Sequence, residues 1–115
     1  MNIQKKAINA LILMGAPVKS NGAKYVVEAM RIYDESAEWT SVNTLFLYEE
    51  IAKKYNTTAS CVERSIRYIF LKLSSDKNNE YVDKYIGKNS RGNTNRLAVL
   101  YIRLKQEAGD EESIY

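Results

Sequence analysis

Apolar residues recur at helical spacing along almost the whole chain, and no segment alternates with the two-residue period of a strand. Gly15 and Pro17 mark the end of the first predicted helix, and Gly87 marks the end of the fifth. The predicted helices cover about 3–14, 21–34, 44–55, 59–73, 80–86 and 94–107. The pattern therefore predicts an all-α domain of six helices.

Each predicted helix carries an apolar stripe that we expect to face a common core. Four tyrosines lie on such stripes, and we expect them to pack in the core rather than stack on bases: Tyr25, Tyr33, Tyr55 and Tyr101. The other predicted core residues are Ala7, Ile8, Leu11, Ile12, Met14, Val26, Ala29, Met30, Leu47, Ile51, Val62, Ile66, Ile69, Phe70, Leu73, Leu97, Leu100 and Leu104.

The composition is that of one ordinary globular domain, with 115 residues of which 45% are apolar and 27% charged. No apolar run approaches the ~18–20 residues of a membrane-spanning helix, so we expect no membrane partner. We expect residues 1–108 to form one helical domain and residues 109–115 to form a frayed acidic tail. The single cysteine, Cys61, fits a reducing cytoplasm.

The inventory of reactive side chains argues against catalysis. The chain has no His and one Cys, which excludes His-based catalysis, a zinc site and an internal disulfide. It also lacks a Gly-rich phosphate loop and paired carboxylates that would be buried together. We therefore expect a protein that is not an enzyme and has no cofactor, metal or small-molecule substrate.

Charge is distributed unevenly along the chain. Residues 106–115 contain four acids and no base, so the rest of the chain carries +7 although the whole chain carries only +3. Residues 84–105 contain six basic residues and no acid: Lys84, Lys88, Arg91, Arg96, Arg103 and Lys105. Such a stretch is either a solvated face or the contact surface for an anionic partner such as nucleic acid.

Residues 47–73 have the dimensions of a helix-turn-helix. Two helices are separated by the three turn residues 56–58, and the small residue Ala52 lets the helices cross closely. Asn56 tolerates a left-handed backbone at the turn, and Thr58 can cap the second helix. Many helical hairpins share this pattern, so spacing alone does not establish DNA binding.

The second helix of this motif presents polar residues in its first two turns. At 100° per residue, Ser60, Arg64 and Arg67 point away from Val62, and Glu63 lies on one flank. A recognition helix needs such residues there, because Arg can donate to guanine and Glu can accept from cytosine in the major groove. Glu63 and Arg67 are also i,i+4 neighbours, which is typical of a surface ion pair.

The chain resembles a known family over residues 51–67, Ile-Ala-Lys-Lys-Tyr-Asn-Thr-Thr-Ala-Ser-Cys-Val-Glu-Arg-Ser-Ile-Arg. The resemblance is to the C-terminal effector domain of the stage-zero sporulation protein A family, response-regulator transcription factors of endospore-forming bacteria. It extends to Gly15-Ala16-Pro17, to Gly22 with 25–29, and to Leu47-Tyr48. It implies a six-helix domain that binds double-stranded DNA and regulates transcription, with a homodimer on tandem sites as an expected assembly.

The resemblance also implies roles for individual residues. Glu63 and Arg64 match family residues that contact bases, and Ser60 and Arg67 match positions near the phosphate backbone. Cys61 stands where the family has a second base-reading Arg, so readout of the family's TGTCGAA-type element is expected to weaken or change. The remaining candidate backbone contacts are Thr58, Tyr68 (where a His is common), Lys88, Arg91 and Arg96.

Some alternatives stay open from the sequence. Cys61 lies in the first turn of a helix near Arg64, which suggests a redox sensor, although an inert replacement for Arg is the simpler interpretation. A receiver domain needs roughly 120 residues, for which these 115 residues leave no room. We expect a free-standing relative rather than a fragment. The competing functions are an accessory factor of plasmid or phage replication, transfer or partition, and a protein-interaction module that pairs with a full-length family member.

Overall fold

The computed structural model describes residues 2–76, 78–87 and 91–114, with side chains as far as Glu107. This part of the chain contains six α-helices and no strand. They are α1 (Ile3–Leu13), α2 (Asn21–Glu35), α3 (Thr44–Tyr55), α4 (Ala59–Ser74), α5 (Glu80–Ile86) and α6 (Gly92–Ile114), and a single 3₁₀ turn at Trp39–Ser41 precedes α3. The predicted all-α, six-helix fold is confirmed.

The connection between α1 and α2 follows local chain chemistry. Gly15 adopts a φ of 83°, a left-handed conformation that glycine accepts without strain and that ends α1. Pro17 then prevents the helix from continuing. Ser20 starts α2, because its hydroxyl oxygen accepts a hydrogen bond from the backbone N–H of Ala23 at 3.2 Å.

Helix α2 lies at the centre of the domain and packs against α1, α3, α4 and α6. Its Val26, Ala29 and Met30 are completely buried. Near its start, a Cβ added to Gly22 would lie only 2.6 Å from the carbonyl oxygen of Ser65 in α4. The absence of a side chain at position 22 therefore lets α2 support the back of α4 at backbone distance.

A buried carboxylate joins α2 to α3. The Glu28 side chain is 3% exposed, accepts a hydrogen bond from Arg31 Nε at 2.6 Å, and pairs with Lys54 Nζ of α3 at 2.7 Å. Burial by itself raises the pKa of Glu28. The hydrogen bonds and charges of Arg31 and Lys54 outweigh that effect and lower the pKa overall.

The last helix begins earlier and ends later than the predicted 94–107. Its backbone continues past Gly109 to Ile114, so the helical end expected near residue 108 is wrong. A glycine inside a helix costs only about 1 kcal/mol and need not end it. The fraying expected for residues 109–115 stays a prediction.

The second half of α6 is tied to the rest of the domain by polar contacts. Tyr101 Oη donates to Asp34 at 2.9 Å, Lys105 pairs with Asp34 at 3.2 Å, and Tyr85 Oη donates to Glu107 at 2.6 Å. Burial, followed by the hydrogen bond to Asp34 and its negative charge, raises the pKa of Tyr101 to about 12. Both hydroxyls therefore stay protonated donors at neutral pH.

Three of the predicted core residues are not in the core. Ile8 and Ile12 are 40% and 55% exposed, because Ala7, Leu11 and Met14 face inward and their neighbours lie about 100° away around α1. Tyr55 is 37% exposed and contacts the ring of buried Tyr25 edge to face at 5.3 Å. Every other residue predicted for the core is buried.

Candidate nucleic-acid interface

A tight turn fixes the geometry between α3 and α4. Asn56 adopts a φ of 53°, the left-handed conformation expected for it, and the N–H of Thr57 donates to the carbonyl of Ala52 at 2.9 Å. The Thr58 hydroxyl oxygen accepts from the backbone N–H of Cys61 at 3.1 Å, so it caps α4 as predicted. The turn therefore aligns α4 without requiring any ligand.

The two helices of the motif are wedged together by apolar side chains. Ile51, Val62 and Ile66 are completely buried and Ala52 is 5% exposed. Tyr55, which the apolar pattern predicts for the core, lies at the edge of this contact instead. The helix-turn-helix geometry predicted for residues 47–73 is thus held by three aliphatic residues and one small one.

The outward face of α4 is open over most of its length. Ser60, Arg64 and Arg67 are exposed, as predicted, and Tyr68 is 70% exposed. Cys61 and Glu63 lie half-buried on opposite flanks. No carboxylate of the described residues pairs with Arg64, so its guanidinium is available to a partner outside the chain.

Glu63 and Arg67 meet on this face, as their spacing predicts. Arg67 Nε lies 3.5 Å from the Glu63 carboxylate, and both side chains remain partly exposed at 54% and 37%. A pair in this position contributes little to stability, since water screens it. It does orient the two side chains that stand beside Arg64.

A groove of about 470 Å³ runs along the Glu63 side of α4, and we call it the arginine groove. It lies where the N-terminal ends of α3 and α6 approach α4. Its lining consists of Thr44, Tyr48, Glu63, Arg67, Leu71, Arg91, Gly92, Asn93, Thr94 and Arg96. Three guanidinium groups thus face one carboxylate.

Asn93 holds the floor of the arginine groove together. Its side chain is 9% exposed, and its Nδ2 donates to Tyr48 Oη at 3.2 Å and to the backbone carbonyl of Glu63 at 3.0 Å. The hydroxyls of Thr44 and Thr94 are hydrogen-bonded at 3.0 Å across the same junction. The start of α6 is therefore attached to both helices of the motif.

A second groove of about 460 Å³ lies on the other side of α4, against the start of α2. Ser20 and Gly22 of α2 form one wall, and Arg64, Tyr68 and Lys72 of α4 form the other. Helix α4 therefore stands between two grooves, each with basic side chains and the N-terminal end of another helix. A helix that lies in the major groove of DNA has one strand of the phosphate backbone on each side of it.

Some basic residues of the stretch 84–105 line the arginine groove, and others are paired elsewhere in the domain. Arg91 and Arg96 line the arginine groove, as a backbone contact requires, whereas Lys88 lies outside the described residues. Lys84 pairs with Glu107 at 3.3 Å, Lys105 pairs with Asp34, and Arg103 hydrogen-bonds Gln106. These last three side chains are engaged elsewhere along the domain and do not line the groove.

Sequence reasoning missed Thr44, Asn93 and Lys72 as residues that line the two grooves. Lys72 follows Tyr68 by one helical turn, so extension of the outward face would have found it. No sequence signal identifies Asn93, because its partners lie 45 and 30 positions away along the chain.

The described residues contain no group of three or more His, Cys, Asp or Glu side chains placed to hold a metal ion. Within the same part of the chain, no helix has the length and apolar character needed to cross a membrane. Cys61 is a free, half-buried thiol.

The chain matches the model of the family described as "Sporulation initiation factor Spo0A C terminal" over residues 7–104. The matched region includes α4, both grooves beside it and most of α6. The chain belongs to this family of helical DNA-binding domains from a sporulation transcription factor.

Proposed function

We propose that this chain is a sequence-specific, double-stranded DNA-binding protein that regulates transcription by inserting α4 into the major groove. The observation that carries the proposal is the outward face of α4, which is exposed, basic and bounded on both sides by grooves with further basic residues. Each of those grooves can take one strand of the DNA backbone.

Arg64, Glu63 and Cys61 are the proposed base-reading positions. Arg64 lies in the second turn of α4 with no internal partner, and its two donors match guanine O6 and N7. Glu63 can accept from cytosine N4, and Arg67 steadies its carboxylate at 3.5 Å. Cys61 occupies a base-reading position with a side chain too short and too weak a donor to read guanine.

The proposed backbone contacts surround these positions. Ser60 and Tyr68 are exposed on α4, and the Thr58 hydroxyl keeps its own proton available while its oxygen caps the helix. Arg67, Arg91 and Arg96 line the arginine groove, and Lys88 remains a prediction. The resemblance implies a homodimer, in which two copies of the chain bind side by side on tandem DNA sites.

Selection of bound sites from random duplex, followed by sequencing, tests this function directly. We expect enrichment of one short element, and repeated elements at fixed spacing would indicate two bound copies. No enrichment by a folded chain would contradict the proposal and favour the protein-interaction module. The neighbouring genes would separate a chromosomal regulator from an accessory factor of a plasmid or phage.

Replacement of Arg64 by Ala tests the base-reading role. We expect the difference in binding free energy between the selected and the random duplex to shrink by about 1–3 kcal/mol, while binding to random duplex persists. Fluorescence anisotropy on both duplexes measures this difference. Arg103→Ala is the matched control, because Arg103 lies on α6 outside both grooves. Equal losses on the two duplexes would show that Arg64 contacts only the backbone.

A further inference from the structure

We propose that the arginine groove seats a single phosphate of the DNA backbone and that this contact sets the position of Glu63 over the bases. The inference rests on the proposed function and adds to it a defined anion site formed by α3, α4 and α6. Its ligand is a phosphodiester group, recognised by its charge and its acceptor oxygens rather than by sequence.

The charges in the groove favour an anion. Arg67, Arg91 and Arg96 line it, and Glu63 is the one acid among its lining residues. Within the part of the chain that the structure describes, Arg91 and Arg96 pair with no carboxylate. Glu63 faces Arg67 at 3.5 Å, which leaves two guanidinium groups without a counter-charge.

Two buried polar atoms in the groove have no hydrogen-bond partner. The Nε of Arg96 lacks an acceptor, and the Oδ1 of Asn93, a side chain only 9% exposed, lacks a donor. Buried polar groups are nearly always paired, either within the protein or with ordered water, so both atoms favour a polar ligand in this groove. A phosphate oxygen supplies the acceptor for Nε, and a water on the same phosphate can donate to Oδ1.

The N-terminal ends of two long helices meet at the same place. Thr44 is the first residue of α3, Thr94 lies in the first turn of α6, and their hydroxyls are 3.0 Å apart. Both helix dipoles therefore present their positive ends to the groove. The first helix of a helix-turn-helix ordinarily crosses the DNA backbone, so α3 is expected to lie near phosphates.

The groove is also attached to a base-reading residue. Asn93 donates to the backbone carbonyl of Glu63 at 3.0 Å, and the carboxylate of Glu63 forms part of the groove wall. A phosphate bound between Arg91, Arg96 and Arg67 therefore fixes the distance from the Glu63 carboxylate to the base edges. Asn93 acts here as a positioning residue.

The salt dependence of binding tests for one phosphate. On a random duplex, the Arg91→Ala/Arg96→Ala double variant should lower the slope of log affinity against log salt by about 0.9, the value for one phosphate. Between 50 and 200 mM salt, its affinity should thus fall about 3.5-fold less than that of the unmodified chain. Arg103→Ala removes one positive charge outside the groove and should leave the slope unchanged.

An unchanged slope in the double variant would show that the groove binds no phosphate and would overturn the proposal. A slope lower by about 1.8 would show that Arg91 and Arg96 bind two separate phosphates and would overturn the single site. Failure of the unmodified chain to bind any duplex would overturn the proposed function as well.

Neutral methylphosphonate linkages, placed one at a time in the selected duplex, locate the phosphate. A neutral linkage at one position of the duplex should lower the affinity of the unmodified chain but not that of the double variant. If the two proteins lose affinity at the same positions, the phosphate site is not in the arginine groove and the proposal is wrong. Inorganic phosphate at constant ionic strength separates a free anion from DNA. If it raises the thermal midpoint only in chains with Arg91 and Arg96, while the salt slope stays unchanged, the groove binds free anions and the proposal is wrong.

Discussion

At the scale of single residues, the resemblance implies an Arg at position 61, where this chain has Cys61. We expect Cys61→Arg to tighten binding to a TGTCGAA-type element by up to about 1–3 kcal/mol, the range for one bidentate contact with guanine. The helix should accept the change, because Cys61 lies outside the buried stripe of α4 and Arg is a good helix former. Anisotropy titrations on the family element and on a scrambled duplex measure the gain.

Cys61→Ser is the matched control for this experiment. It removes the thiol and keeps the size of the side chain, so we expect affinity within experimental error of the unmodified chain. If Cys61→Arg does not raise the affinity for the family element while thermal stability is intact, α4 lies differently in the major groove of DNA or does not enter it. That outcome would argue against the roles proposed for Glu63 and Arg64.

The exposed residues of α4 could be predicted from sequence, whereas the groove beside it could not. Arg64, Arg67 and Tyr68 follow from the 100° rotation per residue, since α4 is regular and its buried stripe is unbroken. Asn93 is a polar residue in a polar stretch, and nothing local indicates that it is buried. Its burial depends on Tyr48 and on the Glu63 carbonyl, which only the folded chain brings close.

At the scale of helices, the approach of α2 to α4 depends on Gly22. We expect Gly22→Ala to lower the free energy of unfolding by about 1–3 kcal/mol, because its Cβ would meet the carbonyl oxygen of Ser65 at 2.6 Å and Ile69 at 3.3 Å. The helix propensity of alanine offsets less than about 1 kcal/mol of this cost. Chemical denaturation measures the change. Asn21→Ala, on the same turn but exposed, should be nearly neutral, and a Gly22→Ala chain of full stability would mean that the helices separate without cost.

The helices themselves were predictable because their apolar spacing is regular and their ends carry strong local signals. Gly15, Asn56 and Gly87 adopt the positive φ values that their residue types favour. The predictions were wrong where the local sequence signal was weak, or where burial depended on how the helices pack together. Gly109 did not end α6, and Ile8 and Ile12 lie at the margin of the buried face of α1.

At the scale of the whole molecule, stability should depend on pH through Glu28. Its pKa is lowered in the folded chain, so the charged carboxylate stabilises the fold above the ordinary value of 4.5, and this contribution is lost as pH falls through the folded pKa. We expect Glu28→Gln to cost about 1.5–3 kcal/mol at pH 7, with a smaller difference from the unmodified chain below pH 4.5. Denaturation curves from pH 7 to pH 3 measure both effects.

Glu35→Gln is the control for this prediction, because Glu35 also pairs with Arg31 but is 65% exposed. We expect it to change stability by less than about 0.5 kcal/mol at any pH in this range. A constant penalty for Glu28→Gln from pH 7 to pH 3 would contradict the assigned role of the carboxylate.

The outward face of α4 contributes almost nothing to the packing of the domain, and this has a consequence for descent. Ser60, Arg64, Arg67 and Tyr68 are exposed, while α4 is joined to the core through its buried stripe of Val62, Ile66, Ile69, Phe70 and Leu73. Mutations on the outward face can therefore accumulate without passing through an unfolded intermediate. Duplicated copies of such a gene can diverge on this face while keeping one structure, and Cys61, where the resemblance implies an Arg, is such a change at its edge.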